Sequence, residues 1–405
     1  MAIELPRQGF IFWNVGTGDS TTIAITDGVF MQVDLRHLVG ADDDDDPRCA
    51  IVDVLVENLP KKNGKPYLSA FALTHPDLDH IQGFKDLLDR VEIGELWFTP
   101  RIFREYHKDL CEDAQVFKRE AKRRVKKVID AQGAVGSGDR VRVIGYDMLL
   151  QKDDYKDLPR SCFSVPGHSV TIVDGVDRSE VFKAFIHSPF KDHAEGERNK
   201  TSLGMQITLK NGEGTGKAML LGDLCYPTVK RIFEYSDAED TEWNVFLAPH
   251  HCSKSVMYWR DSPDDDETRR QDVLDLIEAS AAGTGYVVSS SRPVPAIDSA
   301  GANPPHALAK EQYEEIAPSG FLCTGEHPNE ESSEPIIFAV EEDGLTYKQP
   351  SESVGDKGRS LHIAVGAARG SYSAPSHRVG HGEFKSDEHT RSIADLLIVR
   401  EVTDE

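Results

Sequence analysis

Four side chains able to bind a divalent cation fall within six residues of this chain: His75, Asp77, Asp79 and His80, in the run Thr74-His75-Pro76-Asp77-Leu78-Asp79-His80. Imidazole nitrogen mixed with carboxylate oxygen suits Zn²⁺, and a carboxylate-rich set also admits Mn²⁺ or Mg²⁺. A turn at this place can splay His75 and Asp77 toward one ion and Asp79 and His80 toward another. A polar loop capping a helix with Asp79 would explain one aspartate, but not two aspartates and two histidines together.

Two distant segments repeat the pattern. Met219-Leu220-Leu221-Gly222-Asp223 is an apolar run ending in a carboxylate, and Val245-Phe246-Leu247-Ala248-Pro249-His250-His251 is an apolar run ending in imidazoles. A carboxylate at Asp223 placed between two cations would bridge them, as in two-metal hydrolytic sites with ions ~3.5–4 Å apart. The sequence contains neither G-x-S-x-G nor G-x-x-x-x-G-K-[ST], so attack by a metal-activated water is favoured over a serine nucleophile or a phosphate-cradling loop.

The elements that must carry these residues read as short strands alternating with helices. Residues 10–14, 21–26 and 29–34 form a meander of strands, with Asp27-Gly28 as a hairpin turn. Helical spacing covers 47–59, with Pro47 in its first turn. Residues 68–74 are a buried-type strand before the His/Asp run, 81–90 a helix and 95–99 a strand. A long helix is predicted over 106–132. It carries seven basic residues within ten: Lys118, Arg119, Lys122, Arg123, Arg124, Lys126 and Lys127. Short strands and loops fill 139–188. Strands follow at 202–209, 217–221, 244–248, 285–289, 320–323 and 335–340, with helices at 226–234, 268–281 and 306–317. The predicted organisation is one domain over 1–349, with a basic helical insertion near 100–135, and a C-terminal extension over 350–405 rich in Gly, Ser and charge.

Composition narrows the function. The chain has 405 residues and a formal charge of −23, with 69 acidic against 46 basic side chains. That excess opposes a broad electrostatic grip on nucleic acid or on an anionic membrane, and leaves the 118–127 run as the one concentrated positive stretch. No segment approaches the ~20 apolar residues of a membrane span. The first residues have no secretory pattern, and the six cysteines form no C-x-x-C pair. A cytoplasmic location is therefore expected.

The combined motifs resemble the metallo-beta-lactamase-fold hydrolases. The 74–80 run is similar to that family's H-x-H-x-D-H signature, here as H-x-D-x-D-H. Asp34 matches the early aspartate of the fold, Asp223 the bridging aspartate, and His250 or His251 the last ligand histidine. Within the superfamily the closest resemblance is to the soluble hydrolase domain of competence DNA-uptake proteins. Val15-Gly16-Thr17-Gly18-Asp19 matches V-G-x-G-D, Asn199-Lys200-Thr201-Ser202-Leu203 matches N-x-x-S-L, and His250-His251-Cys252-Ser253-Lys254 matches H-H-G-S-K. Asn303 and His306 resemble a late Asn-plus-His stretch. The resemblance spans roughly residues 8–340.

This resemblance implies an α/β chain folded as a four-layer αββα sandwich of two mixed sheets flanked by helices. It implies a hydrolase holding one or two divalent ions. One ion would take His75, Asp77 and Asp223; the other would take Asp79, His80, Asp223 and His250, with His251 as the alternative histidine. Asp79 would also orient water, His306 would protonate a leaving group, and Lys254 would meet a phosphate. Asn199, Ser202 and Ser253 would contact substrate, while Asp34 and Asp19 support the site.

The chain departs from the pattern at three places. Asp77 replaces a second histidine, Asn199 or Ser202 stands where a middle ligand histidine belongs, and Cys252 replaces a glycine. His187 and His193, slightly earlier, are candidates to serve for the middle histidine. A phosphodiester, in nucleic acid or a nucleotide, is the expected substrate, with a protein partner as a further expectation and no membrane association. The alternatives are a hydrolase of a lactone, thioester or β-lactam on the same fold, and a degenerate, non-catalytic binding module.

Overall fold

A computed structural model describes residues 5–42, 46–145, 155–191, 199–332 and 334–350. His193 and the extension from 351 onward lie outside the described residues, as does most of the acidic run 42–46.

Two mixed sheets carry the chain. In the first, neighbouring strands run Gly344–Lys348, Ile336–Glu341, Gly9–Phe12, Thr21–Thr26, Val29–Val33, Lys65–Leu73, Glu92–Phe98, Arg140–Ile144 and Phe163–Ser164. Pairing is antiparallel as far as Val29–Val33 and parallel beyond it. The Asp27-Gly28 turn closes the expected hairpin, with Thr26 opposite Val29. The second sheet orders Gly320–Cys323, Ala281–Ser289, Trp243–Leu247, Gly214–Leu220, Gly204–Asn211, Phe182–Ser188 and Ser169–Val170. Its first four strands are mutually parallel and the rest antiparallel.

Alternating side chains build three apolar layers from these strands. Phe71 and Leu73 face outward, onto helices Ile51–Asn58, Phe84–Arg90 and Glu112–Asp130, where Phe84, Leu87, Phe117 and Val125 receive them. Ala70 and Ala72 face inward, into a core shared by both sheets with Met31, Met205, Ala218 and Leu247. Met219 and Leu221 face out of the second sheet, toward helices Tyr226–Tyr235, Gln271–Ala279 and Ala307–Ile316. Helix, sheet, sheet, helix is the four-layer order expected from the sequence.

The long basic segment is resolved differently from the prediction. It breaks into a turn at Arg101–Arg104, a 3₁₀ turn at His107–Asp109 and the helix Glu112–Asp130. Cys111 is extended (φ −63°, ψ 166°), and Glu112 and Asp113 start the helix with acids at its positive end. This helix belongs to the outer layer, with Ala114, Phe117, Ala121 and Val125 buried. Arg124 is buried too, paired to Glu120 and donating to the carbonyls of Ile93 and Gly94. Arg123 pairs with Glu120 and Asp139, and Lys126 with Asp130. Arg124 is thus committed to the fold, while Arg123 and Lys126 are held in exposed ion pairs. Among the described residues no helix is long and apolar enough to cross a membrane.

Candidate metal centre

The chemistry-bearing residues gather where strands leave the sheets at their carboxyl ends. Val29–Val33 delivers Asp34, Lys65–Leu73 delivers residues 74–80, Gly214–Leu220 delivers Asp223, and Trp243–Leu247 delivers His250 and His251. Main-chain bonds tie these ends together: Asp34 N–H to the Ala72 carbonyl, Leu203 N–H to Thr74, His250 N–H to Gly222, and Asp19 N–H to Asp79, at 2.9–3.1 Å. Gly222 makes the close approach possible. It sits at φ +52°, and a β-carbon there would lie 3.2 Å from the β-carbons of Ser202 and Thr74.

Asp223 is the centre. Its Oδ2 lies 3.5 Å from His75 Nε2 and 3.6 Å from His250 Nε2, while its Oδ1 lies 3.1 Å from His80 Nε2 and 3.6 Å from His251 Nε2. Asp77 joins the first group, 3.6 Å from His75 Nε2. Asp79 joins the second, 3.2 Å from His251 Nε2 and 4.0 Å from His80 Nε2. Both adjacent histidines therefore reach the cluster, one on each side of the carboxylate. This corrects the expected grouping: His250 belongs with His75 and Asp77, and His251, not His250, stands with Asp79 and His80. The local backbone permits this. His250, His251 and Cys252 are all left-handed, at φ 52°, 55° and 65°, a conformation that costs non-glycine residues roughly 1–2 kcal/mol each.

Behind the imidazoles lies a second set of groups that fixes their orientation. Asp34 accepts from Thr74 N–H (2.7 Å) and from Thr74 Oγ1 (2.6 Å), and its Oδ2 meets His80 Nδ1 at 2.7 Å. Thr74 Oγ1 is 3.1 Å from His75 Nδ1. Asp19 Oδ1 is 3.2 Å from His251 Nδ1. Each of these three rings thus has its rear nitrogen occupied and turns Nε2 toward Asp223, the arrangement that carboxylates impose on metal-ligating histidines. The sequence marked Asp19 only as a supporting residue. Yet Asp19, His80, Asp223 and His251 offer one ligand atom each, all within 4.8 Å of one another. Because Asp19 faces the Nδ1 atoms (3.9 Å from that of His80), we assign it to orientation rather than to direct ligation.

The donor set fits a divalent cation. The Nε2 atoms of His75, His80 and His251 and Oδ1 of Asp223 are buried with no hydrogen-bond partner among the described residues, and all three Nε2 atoms lie within 3.6 Å of the Asp223 carboxylate. Orphaned buried polar atoms are rare, because each costs about 1–3 kcal/mol. Electrostatics agree. Burial favours a neutral Asp223, but the imidazoles of His80, His75 and His251 outweigh it and hold the carboxyl well below its usual range. Burial opposes charge on His251, yet Asp19 and Asp223 raise its pKa to about 10. Burial likewise opposes charge on His80, and Asp223 and Asp34 overcome it, holding the ring well above the ordinary value. Burial favours a neutral Asp79, but the imidazole of His251, with Nε2 3.2 Å away, and that of His80 hold the carboxyl well below its usual range. The acids thus demand positive charge, which protons or metal can supply. At His250 and Asp34 burial prevails, lowering the pKa of the first and raising that of the second.

The mouth is formed by Asp77, Asp79 and His250, whose side chains are 29%, 35% and 30% exposed. Ser202 lies beside the floor, buried, with an unpartnered Oγ. Asn199 stands in the turn Asn199–Thr201, where its carbonyl accepts from Ser202 N–H.

Three expected residues are committed elsewhere. His306 has Nε2 at 3.0 Å from the Ala302 carbonyl and Nδ1 accepting from Lys254 N–H at 3.3 Å, so no free ring nitrogen is left to protonate a leaving group. Lys254 Nζ pairs with Glu267. Ser253 Oγ accepts from Ser255 N–H and caps the next turn. His187 does not serve as the middle ligand: its ring bonds Ser236 Oγ and the Asp240 carbonyl, both at 3.0 Å. Cys252 fills the outer core, and burial pushes its thiol pKa up, against a ligand role.

No protein-family model and no curated protein sequence matches this chain. Solved structures do resemble it at low identity. One is a diphosphatase from the PhnP family, 12% identical, covering 76% of this chain and 81% of its own with a TM-score of 0.32. Another is BJP-1, a subclass B3 metallo-beta-lactamase of Bradyrhizobium japonicum, 13% identical, covering 68% and 88% with a TM-score of 0.30. A third is the metallo-beta-lactamase SMB-1 bound to 2-mercaptoethanesulfonate, 12% identical, covering 60% and 80% with a TM-score of 0.27. These are likenesses of architecture, and what this chain's own site offers is a buried His/Asp cluster able to hold divalent metal.

Proposed function

We propose that this chain is a metal-dependent hydrolase of phosphodiesters, with one or two divalent cations, Zn²⁺ first and Mn²⁺ or Mg²⁺ next, held between the two sides of Asp223. The observation that carries this reading is the convergence of four orphaned buried ligand atoms, on His75, His80, His251 and Asp223, at the strand ends. A bound divalent cation supplies Lewis acidity that makes water nucleophilic near neutral pH and offsets charge on a phosphoryl oxygen. The protein supplies the rest. Asp223 presents one oxygen to each side, and Asp34 and Asp19 fix the tautomers of His80 and His251. Asp79, partly exposed at the mouth and 3.2 Å from His251 Nε2, has room to orient an incoming water. The resemblance of the V-G-x-G-D, N-x-x-S-L and H-H-x-S-K motifs to the competence DNA-uptake hydrolases supports a nucleic-acid or nucleotide substrate.

The test is metal analysis joined to a substrate screen. Purified protein is expected to retain Zn or Mn stoichiometrically. It should cleave bis-p-nitrophenyl phosphate, and DNA, RNA or cyclic nucleotides should reveal the preferred diester. Cleavage of carboxylic esters or lactones with no phosphodiester turnover under Zn²⁺, Mn²⁺ or Mg²⁺ would overturn the substrate class. A protein that binds none of these ions would overturn the reading altogether.

A further inference from the structure

Arg36, two residues beyond Asp34, was not among the residues the sequence marked. Its Nε and Nη1 are buried and have no hydrogen-bond partner among the described residues, an unusual state for a cation with five donors. The V-G-T-G-D turn makes room for it. A β-carbon on Gly18 would overlap Arg36 Cδ, lie 3.2 Å from Arg36 Nε and sit 2.6 Å from the Asp79 carbonyl oxygen. A β-carbon on Gly16 would lie 3.8 Å from Arg36 Nη1. The arginine side chain and the main chain of Asp79, one of the three residues at the mouth, therefore both pack against Gly18.

Two other cations are differently placed. Arg48 is bound to Asp46 through Nε (2.8 Å) and Nη2, and Lys254 is paired with Glu267. Burial lowers the Arg36 pKa and the charge of Asp79 offsets part of that; arginine nevertheless remains protonated in proteins. A guanidinium held in place with N–H groups unspent is suited to an anionic oxygen, and its planar fork matches a phosphoryl group.

We propose that Arg36 is an anion-binding residue on the Asp79 side of the mouth, taking a non-bridging phosphoryl oxygen of the substrate. This rests on the phosphodiesterase reading above for the identity of the ligand, though not for the binding of an anion.

The experiment uses the full chain loaded with metal, as wild type, Arg36→Gln and Arg36→Lys. Inorganic phosphate is titrated by calorimetry and as an inhibitor of bis-p-nitrophenyl phosphate cleavage, with metal content measured in parallel. Arg36→Gln should weaken phosphate binding about 10- to 100-fold at unchanged metal content. Arg36→Lys, which keeps the charge and loses the fork, should weaken it a few-fold. Phosphate affinity within twofold of wild type in Arg36→Gln would overturn the proposal. Should that variant fail to fold, unchanged affinity in Arg36→Lys would do so. Wild-type protein that binds phosphate through Arg36 but cleaves no phosphodiester would overturn the functional reading and leave this one standing. Diester cleavage with phosphate affinity indifferent to Arg36 would do the reverse.

Discussion

Two buried histidines in this molecule have opposite fates. His187, on strand Phe182–Ser188, has both ring nitrogens satisfied by neutral partners, and burial drives its pKa down to about 4. His80, after strand Lys65–Leu73, has Asp34 at one nitrogen and Asp223 facing the other, and those carboxylates hold its pKa above the ordinary value against burial. Burial alone therefore does not mark a ligand. A histidine whose two nitrogens are spent stitches the fold together, whereas one whose rear nitrogen is fixed and whose front nitrogen is orphaned is poised for a cation. Asp223→Ala presses this contrast hardest, because it removes the acceptor shared by both sides. We expect metal content to fall and hydrolysis to drop by at least about 10³-fold, read by elemental analysis and initial rates, with the circular dichroism spectrum unchanged.

The acid limb of stability tests the other half of the contrast. His187 has a folded pKa near 4 against about 6.5 unfolded, so between those values the unfolded chain binds more protons. Stability from this group is complete above pH ~6.5 and is lost progressively as pH falls toward 4, amounting to about 3 kcal/mol. Denaturant melts of wild type and His187→Gln across pH 4–7 should show that component vanish in the variant. A slope unchanged by the substitution would mean that His187 is not held neutral. Metal content at pH 7 should be the same in both proteins, because His187 is bonded away from the cluster.

The carboxylates behind the rings are next. Asp34→Asn and Asp19→Asn should each weaken metal affinity about 10- to 100-fold, measured by competition with a chelating dye, while leaving the ligands themselves in place. Asp34→Asn should disturb His80, and Asp19→Asn should disturb His251. If Asp19→Asn instead abolishes metal binding as fully as Asp223→Ala does, Asp19 is a direct ligand and its assignment here is wrong.

How much of this was legible beforehand follows from the range of the interactions. Strand ends closing in Asp223 and in His250-His251, and the dense 74–80 run, are local patterns, and their convergence followed from one architecture. The division of labour between His250 and His251 was hidden, because it depends on three consecutive left-handed residues, a run that no local pattern announces. Asp19 meets His251 across 232 positions of chain, and Arg36 shows its character only through atoms left without partners. Lys254 and His306 misled for the converse reason: their spacing matched a motif, but Glu267 and the Ala302 carbonyl absorb their donors.

The smallest effect should come from Lys254. Its ammonium is partly exposed and already paired with Glu267, and exposed ion pairs of this kind are worth about 0–1 kcal/mol. Lys254→Ala should therefore change kcat/KM by less than about fivefold, well below the loss expected when the guanidinium of Arg36 is removed. The order of these two cations is the informative quantity. Lys254 follows His251 by three residues and Arg36 follows Asp34 by two, and a count of positive charge along the sequence would weigh them equally. A larger loss at Lys254 than at Arg36 would mean that the Glu267 pair opens when substrate arrives, and that satisfied atoms in this site are not always spent.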